Sequence, residues 1–188
     1  MDETSKKDFV LKQDYSLAVI ISTYNSPDYL RRVLEGFGAQ RRLPDELLVA
    51  DDGSTSETAA VVHRFAAQAP FVVRHVWHED TGFRLAEIRN RAIAAATADY
   101  LVFTDGDCIP HPCFLEDHCR ALHPGSFMTG KRMLISKELS TGFCWQGATA
   151  AFMQCLKGQL SGCHHLLRMP WLAMKRQGVK GLRGDRKS

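Results

Sequence analysis

Tyr100-Leu101-Val102-Phe103-Thr104-Asp105-Gly106-Asp107 runs an apolar stretch straight into two carboxylates. A short, continuously apolar segment fits a strand covered on both faces, as in parallel sheets. Its polar residues then collect at the carboxyl end. Working back along the chain, the arrangement occurs twice more. Leu17-Ala18-Val19-Ile20-Ile21 leads to Thr23-Tyr24-Asn25, and the run from Glu46 to Ala50 leads to Asp51-Asp52-Gly53-Ser54. Between these segments lie helical patterns. Ser26-Pro27 supplies an N-cap and a first-turn proline, followed by Leu30, Val33, Leu34 and Phe37 at helical spacing up to Gly38. A second helix places Val61, Val62 and Phe65 on one face. A strand is predicted over Phe71 to Val76, and a helix over Arg84 to Ala96 that buries Leu85, Ile88, Ala92 and Ile93. Pro110 and Pro112 open a short helix near Phe114. The order βαβαβαβ predicts an α/β fold: an open, mostly parallel sheet with helices on both faces.

Beyond Gly125 this rhythm is lost. Phe127 to Ile135 is predicted as a strand, and Trp145 to Leu156 and Leu160 to Lys175 as helices. The glycine-rich, basic end from Gly178 to Ser188 is predicted to fray.

The chain has 188 residues, 45% of them apolar and 24% charged, which suits one globular domain with a short appendage. Net charge is +3, but seven Lys/Arg and one acid lie from Arg168 onward. The rest is net acidic, which excludes a nucleic-acid binder by charge. The basic tail alone would touch phosphates or an anionic membrane surface. The leader, Met1 to Gln13, lacks an apolar core, so no signal peptide is expected, the six Cys are expected as thiols, and the cytoplasm is the expected compartment. Leu139 to Leu156 is the longest uncharged stretch. Its Ser, Thr, Gly and Gln residues argue for a buried or interfacial segment rather than a membrane span.

In open parallel sheets, ligands bind outside the carboxyl ends of the strands. Three polar clusters at that edge suggest a polar ligand together with a divalent cation. Asp105 and Asp107 are two residues apart, so in extended backbone their carboxylates share a side, and Gly106 permits close approach. Such hard oxygen donors suit Mg²⁺ or Mn²⁺ shared with substrate phosphates. Cys108, His111, Cys113, His118 and Cys119 match no paired zinc spacing and are taken as core thiols and surface imidazoles, as is Cys163-His164-His165. Trp145, Phe152 and Trp171 are taken as core, with an acceptor-side or membrane-facing surface as the alternative.

Four ordered motifs carry a resemblance to a known family. They are Ile20-Ile21-Ser22-Thr23-Tyr24-Asn25, Val49-Ala50-Asp51-Asp52-Gly53-Ser54, Gly82-Phe83-Arg84 with Ala86-Glu87-Ile88-Arg89-Asn90, and Asp99 to Asp107. Together, from about Leu17 to Ile135, the sequence resembles the family-two inverting glycosyltransferases of GT-A fold, in particular bacterial members that add sugars to envelope polysaccharide or lipopolysaccharide. The resemblance implies a polar leader (1–14), a nucleotide-sugar-binding domain (15–135) and a partial acceptor-side segment with the basic tail (136–188). It implies a nucleotide-diphospho-sugar donor, UDP-sugars first, a glycan or lipid-linked acceptor, and Mg²⁺ or Mn²⁺. Thr23 and Tyr24 would line the base pocket, Asn25 would belong to the nucleotide-sugar site, and Asp51 and Asp52 would hydrogen-bond base or ribose. Arg84, Arg89 and Asn90 would sit near the diphosphate or stabilise its loop. Asp107 would hold the metal, with Asp105 assisting or binding ribose.

Inversion requires a base to take the acceptor's proton. In the family an acidic residue, usually in a Glu-Asp pair, follows the metal motif at a distance. Here Glu116-Asp117 lies too close behind it, Asp185 stands in the basic tail, and a metal-completing His has only His164 and His165 as candidates. The chain reaches Gly181-Leu182-Arg183 where relatives continue into an acceptor half. A second reading is therefore a nucleotide-sugar-binding remnant or partner subunit without the general base. A phospho-receiver domain would want its acids after the first strand, where Thr23-Tyr24-Asn25 stands.

Overall fold

The structure is a computed structural model, and it describes residues 15–122, 127–140, 142–143 and 145–162. Four strands alternate with helices: β1 (Leu17–Thr23), α1 (Pro27–Gly38), β2 (Glu46–Asp51), α2 (Ser56–Ala66), β3 (Val72–Trp77), α3 (Leu85–Ala95) and β4 (Tyr100–Asp105). They are followed by α4 (Phe114–Ala121), α5 (Lys137–Ser140) and α6 (Ala148–Leu156). The strands form one open, wholly parallel sheet in the order β3-β2-β1-β4, the α/β architecture expected from the alternating pattern. The chain divides between Glu116 and Asp117 into two compact units.

The central strands explain their own sequence. Every residue of β1 and β2 is buried. Ala18 and Ile20 of β1 and Leu48 and Ala50 of β2 share one face and pack with Ile88 and Ala92 of α3. Leu17, Val19, Ile21, Leu47 and Val49 point the other way and are just as buried, so a second layer covers them. Helices α1 and α2, which contact each other, bury Leu30, Val33, Leu34, Phe37 and Val62, and α2 packs on β3. A side chain of this size stabilises by about 1.5–3 kcal/mol when fully buried. β3 and β4 are the edges of this sheet and are correspondingly less buried.

Acids at the amino-terminal edge of the sheet are spent on structure. Asp45 Oδ2 accepts from Leu17 N at 2.7 Å, and Asp99 Oδ2 from the Ser16 hydroxyl at 2.7 Å. Glu46, nearly fully buried, accepts from the backbone N–H groups of Thr97 and Ala98 at 2.6 and 2.9 Å. Each stitches a strand start to a neighbouring loop.

Several expectations are corrected. Ile93 is 41% exposed, because α3 turns its Ile88–Ala92 face to the sheet and Ile93 lies off that stripe. Ser26 caps α1 through its backbone only, and its hydroxyl donates to Tyr24 O. Residues 127–134 form no strand, and Ile135 makes a single antiparallel bridge with Leu160. That bridge also removes Leu160 from the expected second helix; Ser161 and Gly162 are not helical either, and 163–175 lie outside the described residues. The segment 139–156 holds the end of α5 and all of α6, and among the described residues no helix is long and apolar enough to cross a membrane. Phe152 is exposed and Trp145 partly buried. Trp171, Cys163-His164-His165, Asp185 and the basic tail fall outside the described residues.

Candidate active site at the carboxyl edge of the sheet

Register brings the three polar clusters to one edge. Thr23 pairs with Asp51 across β1 and β2, and Ser22 pairs with Asp105 across β1 and β4. With strands about 4.8 Å apart, the ends of β2 and β4 flank the end of β1. Depth then separates the residues.

Asp51 is fully buried. Its Oδ1 accepts from Ser54 N at 2.9 Å and its Oδ2 from His75 Nε2 at 2.8 Å. A carboxylate only accepts, so the contact assigns the proton to Nε2 of His75. Asp52 is 5% exposed, with Oδ1 accepting from His78 Nε2 at 2.7 Å and Oδ2 from Arg84 N at 3.0 Å. Asn25 adopts φ 44°, a left-handed conformation that Asn tolerates better than most residues. Its N–H donates to Ser54 Oγ at 2.8 Å and its Oδ1 accepts from Thr55 N at 3.0 Å. Asp51 and Asn25 thus build the turn between β2 and α2.

The loop from His78 to Arg84 closes over this turn. Gly53, at φ 95°, lies so close to Asp80 that an added Cβ would stand 2.6 Å from its Cα. Asp80 in turn accepts from the Tyr24 hydroxyl at 2.9 Å and from Gly82 N at 3.1 Å. The Gly82 N–H, then the Tyr24 hydroxyl, hold the Asp80 carboxyl below its ordinary pKa. The same hydrogen bond, then the charge of Asp80, push the Tyr24 phenol above its ordinary value. The Tyr24 ring is left 51% exposed. Arg84 gives its guanidinium to Glu79 O and Glu87. A recess of about 410 Å³ opens here, lined by Trp77, His78, Glu79, Thr81, Arg84 and Arg91. Thr23 Oγ1, His78 Nδ1 and Arg84 Nε are buried without hydrogen-bond partners among the described residues.

Arg89 leaves α3 on the side away from Arg91. Its Nε donates to Ser22 Oγ at 2.7 Å and its Nη2 to Asp105 Oδ1 at 3.0 Å, so it holds the Asp105 carboxylate against the end of β1. Asn90, next along the helix, is exposed. Past β4 the chain turns sharply. Gly106 N donates to Ser22 O at 2.7 Å and Cys108 N to Asp105 O at 3.1 Å. Asp105, Asp107 and Cys108 thereby offer three ligand atoms within 4.8 Å of one another. Two hard carboxylate oxygens on a solvent-facing turn fit a divalent cation.

Reading the polar ends of β1, β2 and β4 passed over the end of β3. That end contributes His78 and Asp80, and His75 lies within the strand. The signal was there in Trp77-His78-Glu79-Asp80, a polar run after a strand and ahead of a helix. Cys108, grouped with the thiols by its sequence neighbours, stands beside the carboxylates.

The family described as Glycosyl transferase family 2 matches residues 18–143. Validoxylamine A glucosyltransferase of Streptomyces hygroscopicus subsp. limoneus is 34% identical over 111 residues, which are 58% of this chain and 24% of that protein. Chondroitin synthase of Escherichia coli is 28% identical over 123 residues, 65% of this chain and 17% of that protein. The structure of S. aureus TarS 1-349 is similar with a TM-score of 0.50 at 27% identity, over 56% of this chain and 32% of that one. The chain therefore spans less than a third of the length of each of these proteins. The ordered motifs, the parallel sheet with its acidic carboxyl edge and a family match over more than half the residues agree: the chain belongs to glycosyl transferase family 2.

Proposed function

We propose that this chain binds the donor for a metal-dependent, inverting glycosyltransferase, which moves a sugar from a nucleotide-diphospho-sugar to a glycan or lipid-linked acceptor. UDP-sugars are the first donors to test. The observation that carries the reading is the register that sets Asp51 and Asp105 on either side of the end of β1, with Asp52 N bonded to Thr23 O, in a chain of this family.

Asp52, oriented by His78 and the Arg84 N–H, is the carboxylate for base or ribose, while the fully buried Asp51 and the exposed Asn25 act by shaping the turn. The half-exposed Tyr24 ring, aimed by Asp80, would stack on the base beside Thr23. Arg84 supports the loop, Arg89 orients Asp105, and exposed Asn90 is assigned to the diphosphate side. Asp105 and Asp107 would hold Mg²⁺ or Mn²⁺. Such an ion stabilises the negative charge that develops on the departing diphosphate. The general base is unassigned among the described residues. Work on envelope glycans at the cytoplasmic face of the membrane, aided by the basic tail, is part of the same proposal.

Titration calorimetry with UDP, GDP and dTDP, with and without Mn²⁺, tests the reading. At least one nucleotide should bind in a metal-dependent way, and Asp107→Ala should weaken it. Absence of binding by all three in the presence of metal would overturn the assignment. Metal-dependent binding with no donor hydrolysis or transfer would favour the non-catalytic partner reading.

A further inference from the structure

We propose that Cys108 is a third protein ligand of the divalent cation, so that the site prefers thiol-tolerant ions such as Co²⁺ or Cd²⁺ over Mg²⁺. This rests on the proposed function, and it adds the ion's chemical class and a residue outside the Asp-Gly-Asp motif.

The geometry is already in place. Cys108 Sγ lies 3.3 Å from Asp107 Oδ1, a thiol–carboxylate hydrogen bond. Two ligands bound at about 2.3 Å (sulfur) and about 2.1 Å (oxygen) stand about 3.1 Å apart at a right angle and about 3.6 Å apart at the tetrahedral angle. The observed separation falls between, so an ion could replace the thiol proton with little side-chain movement.

The turn that presents these atoms is held on three sides. Gly106 N is bonded to Ser22 O and Cys108 N to Asp105 O. A Cβ on Gly106 would meet Ser22 O at 3.0 Å and Thr23 Oγ1 at 3.1 Å, so the backbone sits flush against β1. Arg89 holds the Asp105 carboxylate. The Sγ therefore belongs to a turn with a defined shape.

The ligand set decides the ion. Mg²⁺ demands near-ideal octahedral oxygen coordination and keeps its waters. A sulfur at one vertex works against it and favours softer divalent ions. Replacing the sulfur by an oxygen ligand should reverse the preference.

The test uses the 188-residue protein under reducing conditions, titrated with Co²⁺. The near-ultraviolet sulfur-to-cobalt charge-transfer band reports thiolate ligation independently of any activity. The band should saturate at one equivalent, vanish in Cys108→Ser and require more Co²⁺ in Asp107→Asn. UDP calorimetry with Cd²⁺ and Mg²⁺ supplies a second readout. Cys108→Ser should lose about tenfold in affinity with Cd²⁺ and little with Mg²⁺, and Cys108→Asp should bind more tightly with Mg²⁺ than the parent does. A Co²⁺ band unchanged in Cys108→Ser would assign it to other thiols and overturn the inference. So would equal UDP affinity of parent and Cys108→Ser with both ions, which leaves the proposed function standing. Failure of UDP, GDP and dTDP to bind with any ion overturns the proposed function and this inference together.

Discussion

Asp51 and Asp52 close β2, and Asp105 and Asp107 follow the same pattern at β4, with only β1 between them. The first pair is buried and the second faces solvent, Asp105 with 47% of its side chain exposed. A buried carboxylate must find donors inside the protein, since leaving it unpaired costs several kcal/mol. Here two histidines and two backbone N–H groups supply them. A carboxylate in water can exchange its hydration for a ligand at little cost. Identical sequence cues at neighbouring strand ends thus become a scaffold in one case and a candidate ligand set in the other, and depth is what separates them.

The sharpest way to break this contrast is Asp51→Ala. It strands the His75 Nε2–H and the Ser54 N–H in a buried turn, and should cost about 3 kcal/mol of stability. Urea unfolding measures it. A loss below about 1 kcal/mol would mean that the buried pair is not a scaffold.

Gly53→Ala comes next, because it combines a positive φ with a clash against the backbone of Asp80. Strain of this kind costs on the order of 2 kcal/mol. The 78–84 loop should also loosen, seen as faster amide exchange at Gly82 and Arg84. Unchanged exchange would show that Gly53 does not seat the loop.

Asp107→Ala is the mirror of Asp51→Ala. Stability should stay within about 0.5 kcal/mol, as for a surface change. Mn²⁺-dependent nucleotide affinity should fall about tenfold or more, equivalent to about 1.4 kcal/mol. A variant that unfolds while its nucleotide affinity is unchanged would reverse the roles assigned to the two pairs.

How much of this was legible follows the same division. β1 and β2 announced themselves because strands buried on both faces read as near-continuous apolar runs, here Leu17–Ile21 and Leu47–Ala50, and α1 because its apolar residues fall on one stripe. Residues 127–134 were apolar enough to suggest a strand, yet Phe127 and Leu134 are 77% and 73% exposed. A pairing partner is what makes a strand, and composition does not supply one. The convergence of strand ends was legible because parallel connections put every carboxyl end on one edge. The depth of each acid was not, because it depends on what covers it. Asp52 is covered by a loop whose anchors, His78 and Asp80, are more than twenty-five residues away in sequence. Cys108 was hidden differently, since only the turn after β4 folds its sulfur back to Asp107.

The smallest effect concerns the contact that joins β1 to that covering loop. Asp80 is held below its ordinary pKa, so the stabilisation it brings is present above about pH 4 and is lost as pH falls through its folded value. Tyr24 is raised, so its share is present below about pH 10 and is lost as pH rises through its folded value. The Tyr24–Asp80 bond should therefore hold across the whole range between. Ultraviolet titration of tyrosinate in the parent, less that of Tyr24→Phe, isolates this one phenol among the four tyrosines. Its midpoint should lie above about 10, and Asp80→Asn should bring it down toward the ordinary value by removing both the strong acceptor and the charge. If Tyr24 titrates at its ordinary value in both proteins, Asp80 does not hold it in solution. The ring would then be free of the loop, and the difference between a clamped β2 edge and an open β4 edge would narrow to the buried aspartates alone.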